Sequence, residues 1–124
     1  MALGMIEVYG FTTAIVVADA AAKAADVKVV ALDRNKPANG DAARVPLVMA
    51  VKLEGTAAAV EAAMEAGIAE AQKRELYITS HLIAGQSPEI EWFAHLNALG
   101  RDNLRGKAKP SDEDQSTEKS VKEI

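Results

Sequence analysis

The sequence predicts an α/β chain of the α+β sandwich class: a four-stranded antiparallel sheet with two helices on one face and a short third helix after the last strand. Three observations carry this. Short apolar runs and helix-forming runs follow one another in the order β-α-β-β-α-β-α. Two alanine-rich stretches, residues 12–25 and 56–73, lack proline and consist mostly of strong helix formers. The two halves also repeat weakly. Gly10 and Gly55 each follow a strand and precede a threonine, and at the same offset of 45 Ala14 matches Ala59, Ala18 matches Ala63 and Ala21 matches Ala66. Alanine-rich helices match one another by composition too, but the glycines and the shared element order favour two equivalent β-α-β units.

The elements follow in order. Residues 3–9, LGMIEVY, form a first strand broken by Gly10. Thr12 is placed to cap the helix over 12–25. VKVVALD, residues 27–33, is short and β-branched, a second strand. The eleven-residue stretch RNKPANGDAAR, 34–44, separates it from a third strand at 45–53, where Pro46 lacks an amide donor and belongs near the strand start or an edge. Gly55-Thr56 opens the helix over 56–73. Gly67 inside it costs about 1 kcal/mol relative to alanine, a cost that tight helix packing would justify. ELYITSHLI, 75–83, is the fourth strand. Ser87-Pro88-Glu89 reads as a cap with proline at the first helical position, starting a third helix that ends at Gly100. Residues 1–100 thus make one domain. Residues 101–124 are polar and charged, with too little apolar area to offset the entropy of ordering, and read as a disordered tail with an acidic patch at Asp112, Glu113 and Asp114.

Composition narrows the function classes. Hydrophobic residues make up 49% but aromatics only 4%, so alanine supplies much of the apolar content. Alanine lets elements approach closely but adds little area, which suits thin layers and area recovered by oligomerisation. The net charge of -4 gives no field to attract nucleic acid or an acidic membrane. The absence of cysteine removes disulfides, thiolate nucleophiles and cysteine-bound metals. MALGMIEVYG does not resemble a signal sequence, and charges interrupt every long apolar stretch, so the chain reads as cytosolic.

The search for chemistry returns little. Glu89 and Glu91 are two apart and do not share a helix face. Glu54, Glu61 and Glu65 read as ordinary surface charges in or beside a helix. His81 alternates in a strand, and His95 sits among apolar residues of the last helix; neither has metal-ligand spacing. No catalytic residue, metal site or cofactor is expected, and the chain reads as a non-enzyme. In EIEWFAHL, Ile90, Phe93 and Leu96 fit one face; Trp92 falls elsewhere, at a sheet edge or a subunit contact, with core packing of some kind the favoured role for both aromatics. The loop carries Arg34, Lys36 and Arg44, which attract anions, yet it lacks the ending of a phosphate loop. On composition it is a solvated turn shaped by Pro37 and Asn39-Gly40. The central strands lack the stacking aromatics of an RNA-binding fold.

The run GFTTAIVVADAAAKAADVKVV, residues 10–30, resembles the shell proteins of bacterial microcompartments, the BMC domain family. The matching positions are Gly10, Phe11, Thr12, Ala14, Ile15, Ala18, Asp19, Ala20, Lys23, Ala25 and Asp26. ALGMIE at 2–7 and EGTAAAVEAAMEAGIAEA at 54–71 resemble the family's start and its second helix, so the likeness covers residues 2–97. The resemblance implies a ferredoxin-like BMC domain that forms flat cyclic hexamers with a central pore for metabolites. It implies a structural shell subunit, located in a microcompartment shell in the cytoplasm, that partners other copies and other shell proteins. Lys36, Pro37, Ala38, Asn39, Gly40, Asp41, Ala42, Ala43 and Arg44 fall where the family's pore loop lies. Lys23, with Asp19, falls at the edge where hexamers meet.

Three departures accompany the likeness. The pore loop is several residues longer than the family's short glycine-rich turn. Ala84-Gly85-Gln86 stands where the family often has Pro-Arg-Pro. Val16 stands where the family often has a glutamate, and with Val17 makes the first helix more apolar, which suits a changed subunit interface. The alternative is a trimeric ligand-sensing adaptor of related fold, binding an anion at the basic loop.

Overall fold

The structure is a computed structural model that describes residues 1–35 and 47–97. Its elements are β1 (Ala2–Tyr9), α1 (Phe11–Ala24), β2 (Lys28–Asn35), β3 (Val48–Gly55), α2 (Ala57–Lys73) and β4 (Tyr77–Ile83). A 3₁₀ turn (Pro88–Ile90) and the short α3 (Glu91–Ala94) follow. The strands form one antiparallel sheet in the order β2-β3-β1-β4, so β1 and β3 are central and β2 and β4 are edges. The expected sheet, helices and element order are all present.

Alternation along β1 and β3 sorts side chains onto two faces. Gly4, Ile6 and Val8 lie opposite Leu53, Val51 and Met49 and face the helices. Leu3 and Met5 lie opposite Glu54 and Lys52 on the other face. The main core fills the space between the first face and the helices. Ile6, Val8, Val51 and Leu53 come from the sheet, Ala14, Val17 and Ala18 from α1, and Val60, Ala63 and Met64 from α2. Each fully buried valine or leucine there contributes roughly 1.5–3 kcal/mol.

Small residues set how closely the layers approach. A Cβ on Gly67 would lie 3.1 Å from Val17 Cγ1 and 3.3 Å from the Val17 carbonyl, so this glycine is where α2 meets α1. The packing role expected for Gly67 is therefore real. Gly4 is tighter still, because a Cβ there would lie 2.6 Å from Val60 Cγ1. Val17 is thus a core residue of its own subunit, and Val16 is half-buried.

Helix ends explain the shifted boundaries. Thr12 does not cap α1; Gly10 does, at φ 93, a backbone conformation that disfavours any side chain. The Gly10 N–H donates to the Leu47 carbonyl at 2.8 Å and its own carbonyl accepts from Ala14, so the helix starts one residue before the threonine. Thr56 does cap α2, its hydroxyl accepting from the Ala59 N–H at 3.2 Å. At the far end Glu75 takes a positive φ of 60, while the Leu76 N–H reaches the Ala71 carbonyl and the Glu75 N–H that of Gln72. That is a Schellman closure with glutamate in the position glycine usually holds. Residues 75 and 76 belong to this turn, and β4 begins at Tyr77 rather than at 75.

The internal repeat holds with its offset corrected. α1 begins at residue 11 and α2 at 57, and the buried positions 14, 17, 18 and 21 recur at 60, 63, 64 and 67. The spacing is 46, not 45. Alanine-to-alanine matching shifted it by one, because buried Ala14 and Ala21 correspond to Val60 and Gly67.

Two further expectations change. Arg34 and Asn35 belong to β2, and Asn35 pairs with Val48, so the link between β2 and β3 spans residues 36–47. The third helix is a 3₁₀ turn and one α turn, capped by Ser87, whose hydroxyl accepts from the Glu89 N–H at 3.1 Å. The Phe93 carbonyl at its end accepts both from the Leu96 N–H at 3.1 Å and from a lysine of the sheet. The sequence-predicted end at Gly100, together with Pro46 and the tail at 101–124, lies outside the described residues.

Candidate functional site

All nine residues expected in a pore loop, Lys36 through Arg44, lie outside the described residues; the register fixes only their anchors, Asn35 and Val48. Lys23 and Asp19 are described. They stand one turn apart on α1 with Nζ and Oδ2 2.8 Å apart, both well exposed. Hydrogen bonding to Asp19, then its charge, raises the Lys23 pKa above the ordinary lysine value. An exposed i,i+4 pair of this kind adds little to stability. Its place in the last turn of α1 suits a cation near a helix C-terminus.

The most constrained polar group is one that sequence reasoning passed over. Lys52, in the central strand β3, is 1% exposed. Its ammonium donates to the Phe93 carbonyl at 2.8 Å, to Asp33 Oδ2 at 3.3 Å and to the Leu96 carbonyl at 3.5 Å. It also sits 4.0 Å from the centre of the Phe93 ring, within cation–π range. Burial lowers the Lys52 pKa below the ordinary value, and Asp33 opposes that shift by charge and hydrogen bond without cancelling it.

Two residues along the same strand face, Glu54 is also buried. Its carboxylate accepts from the Gln86 side-chain amide at 2.6 Å and lies 3.2 Å from His95 Nε2. The Gln86 N–H donates to the Met1 carbonyl. Glu54 is therefore not an ordinary surface charge, and His95 is not held by apolar neighbours alone. Gln86, in the stretch that stands in place of Pro-Arg-Pro, is turned inward onto the sheet.

These contacts place residues 86–96 over the sheet face that lacks α1 and α2. Ala94 is the one residue of the 3₁₀ turn and α3 that is buried. Trp92 is 68% and Phe93 37% exposed, their rings edge to face at 6.1 Å, so neither is a core residue as expected. The signal in the sequence was Lys52 and Glu54 at i,i+2 inside an apolar central strand. Nothing local marked them as buried, because their cover arrives some 40 residues later.

Elsewhere α1 leaves Phe11 and Ile15 exposed at 45% and 42%. They are four residues apart and so share a helix face. An open groove of about 660 Å³ runs between α2 and the edge strand β4, lined by Met64, Ile68 and Leu82 with Glu61, Glu65 and His81. Among the described residues no group of three His, Cys, Asp or Glu side chains is arranged to hold a metal ion. No described helix is long and apolar enough to cross a membrane.

The family model for the BMC domain matches residues 2–86. Among solved structures 72 chains match. One is described as the crystal structure of a microcompartments protein from Desulfitobacterium hafniense DCB. It shares 28% identity with a TM-score of 0.61, over 73% of this chain and 47% of that one, so the chain spans about half the length of that relative. No curated protein matches the sequence. A central β1–β3 pair under two alanine-faced helices, matched by the family model through the whole of that sandwich, places the chain in the BMC domain family of microcompartment shell proteins.

Proposed function

We propose that this chain is a structural, non-catalytic tile of a bacterial microcompartment shell in the cytoplasm, closing into a hexamer with the 36–44 loop at its axis. Beyond family membership, the observation that carries this reading is the exposed pair Phe11 and Ile15 on α1. A monomer this size gains nothing from baring a phenylalanine and an isoleucine on one helix face. A ring closed by a head-to-tail contact covers such a patch in every copy. The loop's anchors support its place: β2 and β3 deliver residues 36–47 together at one end of the sheet. Six copies of Lys36, Asp41 and Arg44 about one axis require their charges to pair or turn away. Lys23, exposed and paired to Asp19, supports a contact between tiles. Other shell proteins are partners at that edge, and small metabolites are what cross at the axis.

Light scattering tests this directly. The wild type should run as a hexamer or larger, and Phe11→Asp with Ile15→Asp should reduce it to smaller species while circular dichroism is unchanged. A wild-type trimer with saturable nucleotide binding would instead establish the ligand-sensing alternative. Lys23→Ala should abolish sheets or tubes in electron micrographs while hexamers persist; unchanged sheets would remove that lysine from the tile edge.

A further inference from the structure

We infer that residues 87–97 form a releasable latch, held over the helix-free face of the sheet by the buried Lys52 and opening without unfolding the domain. The family match ends at residue 86, yet a lysine at the centre of the matched domain directs its ammonium to the carbonyls of Phe93 and Leu96 beyond it. The segment is therefore bound to the domain by a residue inside it.

The nature of the bonds makes the latch releasable. Within the 3₁₀ turn and α3 only the small Ala94 is fully buried, and Ile90 and Leu96 are half-buried, so the segment is fastened by less apolar area than the central strands. Polar ties among the described residues add to it. Lys52 reaches two carbonyls and the Phe93 ring, and His95 reaches Glu54, with half of the His95 side chain in water. Water can replace each of these partners once the segment lifts. The Lys52 charge is itself held against a desolvation penalty, which opposes docking. No residue of 87–97 takes part in the ladders on both sides of β1 or in the main core against α1 and α2, so lifting the segment breaks none of them. Segments with few buried apolar contacts open at lower free energy than the core. Lifting this one uncovers Lys52, Asp33 and Glu54 together, so the latch decides whether that face presents a charged cluster.

Hydrogen exchange on the full chain tests the inference. In the wild type, peptides covering 87–97 should exchange at least tenfold faster than those of β1 and β3, yet remain protected relative to an unstructured peptide. Lys52→Met, which fills the space without a donor, should remove that remaining protection, a loss of about tenfold, with β1 and β3 unchanged. Phe93→Ala, a partly exposed position that leaves the core intact, should do the same if Lys52→Met fails to fold. Protection of 87–97 equal to that of the central strands, or within twofold of wild type in both variants, would overturn the latch.

Discussion

Replacing Gly4 with alanine places a methyl group where α2 already lies. The new Cβ would stand 2.6 Å from Val60 Cγ1 and 2.7 Å from Met64 Sδ. Met64 can swing its flexible end away. Val60 cannot, because a β-branched side chain in a helix has one strongly preferred rotamer. α2 must therefore lift from the central strand, and overpacking of this kind costs about 1–3 kcal/mol. Alanine recovers roughly 0.5–1 kcal/mol of the backbone entropy lost by glycine in a strand. The net expectation is a destabilisation of about 1–2 kcal/mol, a fall in Tm on the order of 5 °C for a domain this size. Urea denaturation at fixed protein concentration measures it, since any oligomer ties stability to concentration. The decisive comparison is a double-mutant cycle with Val60→Ala. With the Val60 methyls removed, Gly4→Ala should become neutral or mildly stabilising, a coupling of about 1–2 kcal/mol. A Gly4→Ala protein as stable as wild type, or an equal cost in both backgrounds, would refute the close-approach argument.

Two further outcomes follow from the helix cap and the buried lysine. Thr56→Ala removes the hydroxyl that accepts from the Ala59 N–H and should cost about 1 kcal/mol in denaturant unfolding, with Thr56→Ser close to wild type. The Lys52 pKa is lowered by burial in the folded chain, so the unfolded chain holds its proton to higher pH. Below the depressed folded value the charge bears its full desolvation cost. From there up to the ordinary lysine value of 10.5 stability rises with pH. The difference in unfolding free energy between wild type and Lys52→Met should therefore climb in the wild type's favour across that window; a flat difference contradicts a desolvated ammonium.

Much of the fold was legible because it is locally encoded. The β-branched runs, the breaking glycines and the alanine-rich helices each specify their own element, and Ser87-Pro88 fixed the start of the last turn as expected. The misplaced boundaries are those where a non-local bond decided. Gly10 took the cap from Thr12 through its bond to Leu47, and Glu75 took a left-handed conformation to close α2. The repeat was visible, but its register was not, since residue identity matched at 45 while buried position matches at 46.

The sequence by itself determined the element order, the helix faces of small residues and the motifs that resemble the BMC family, because propensity and periodicity act within a few residues. Only the tertiary structure decided the fate of the charges. Lys52 and Glu54 look like the solvated face of a strand until residues 86–96 fold back over them. A side chain's burial depends on what covers it, and here the cover comes from the other side of the sheet topology, where no local pattern reaches. The same rule exposes Trp92 and buries a lysine, the reverse of what either residue suggests alone.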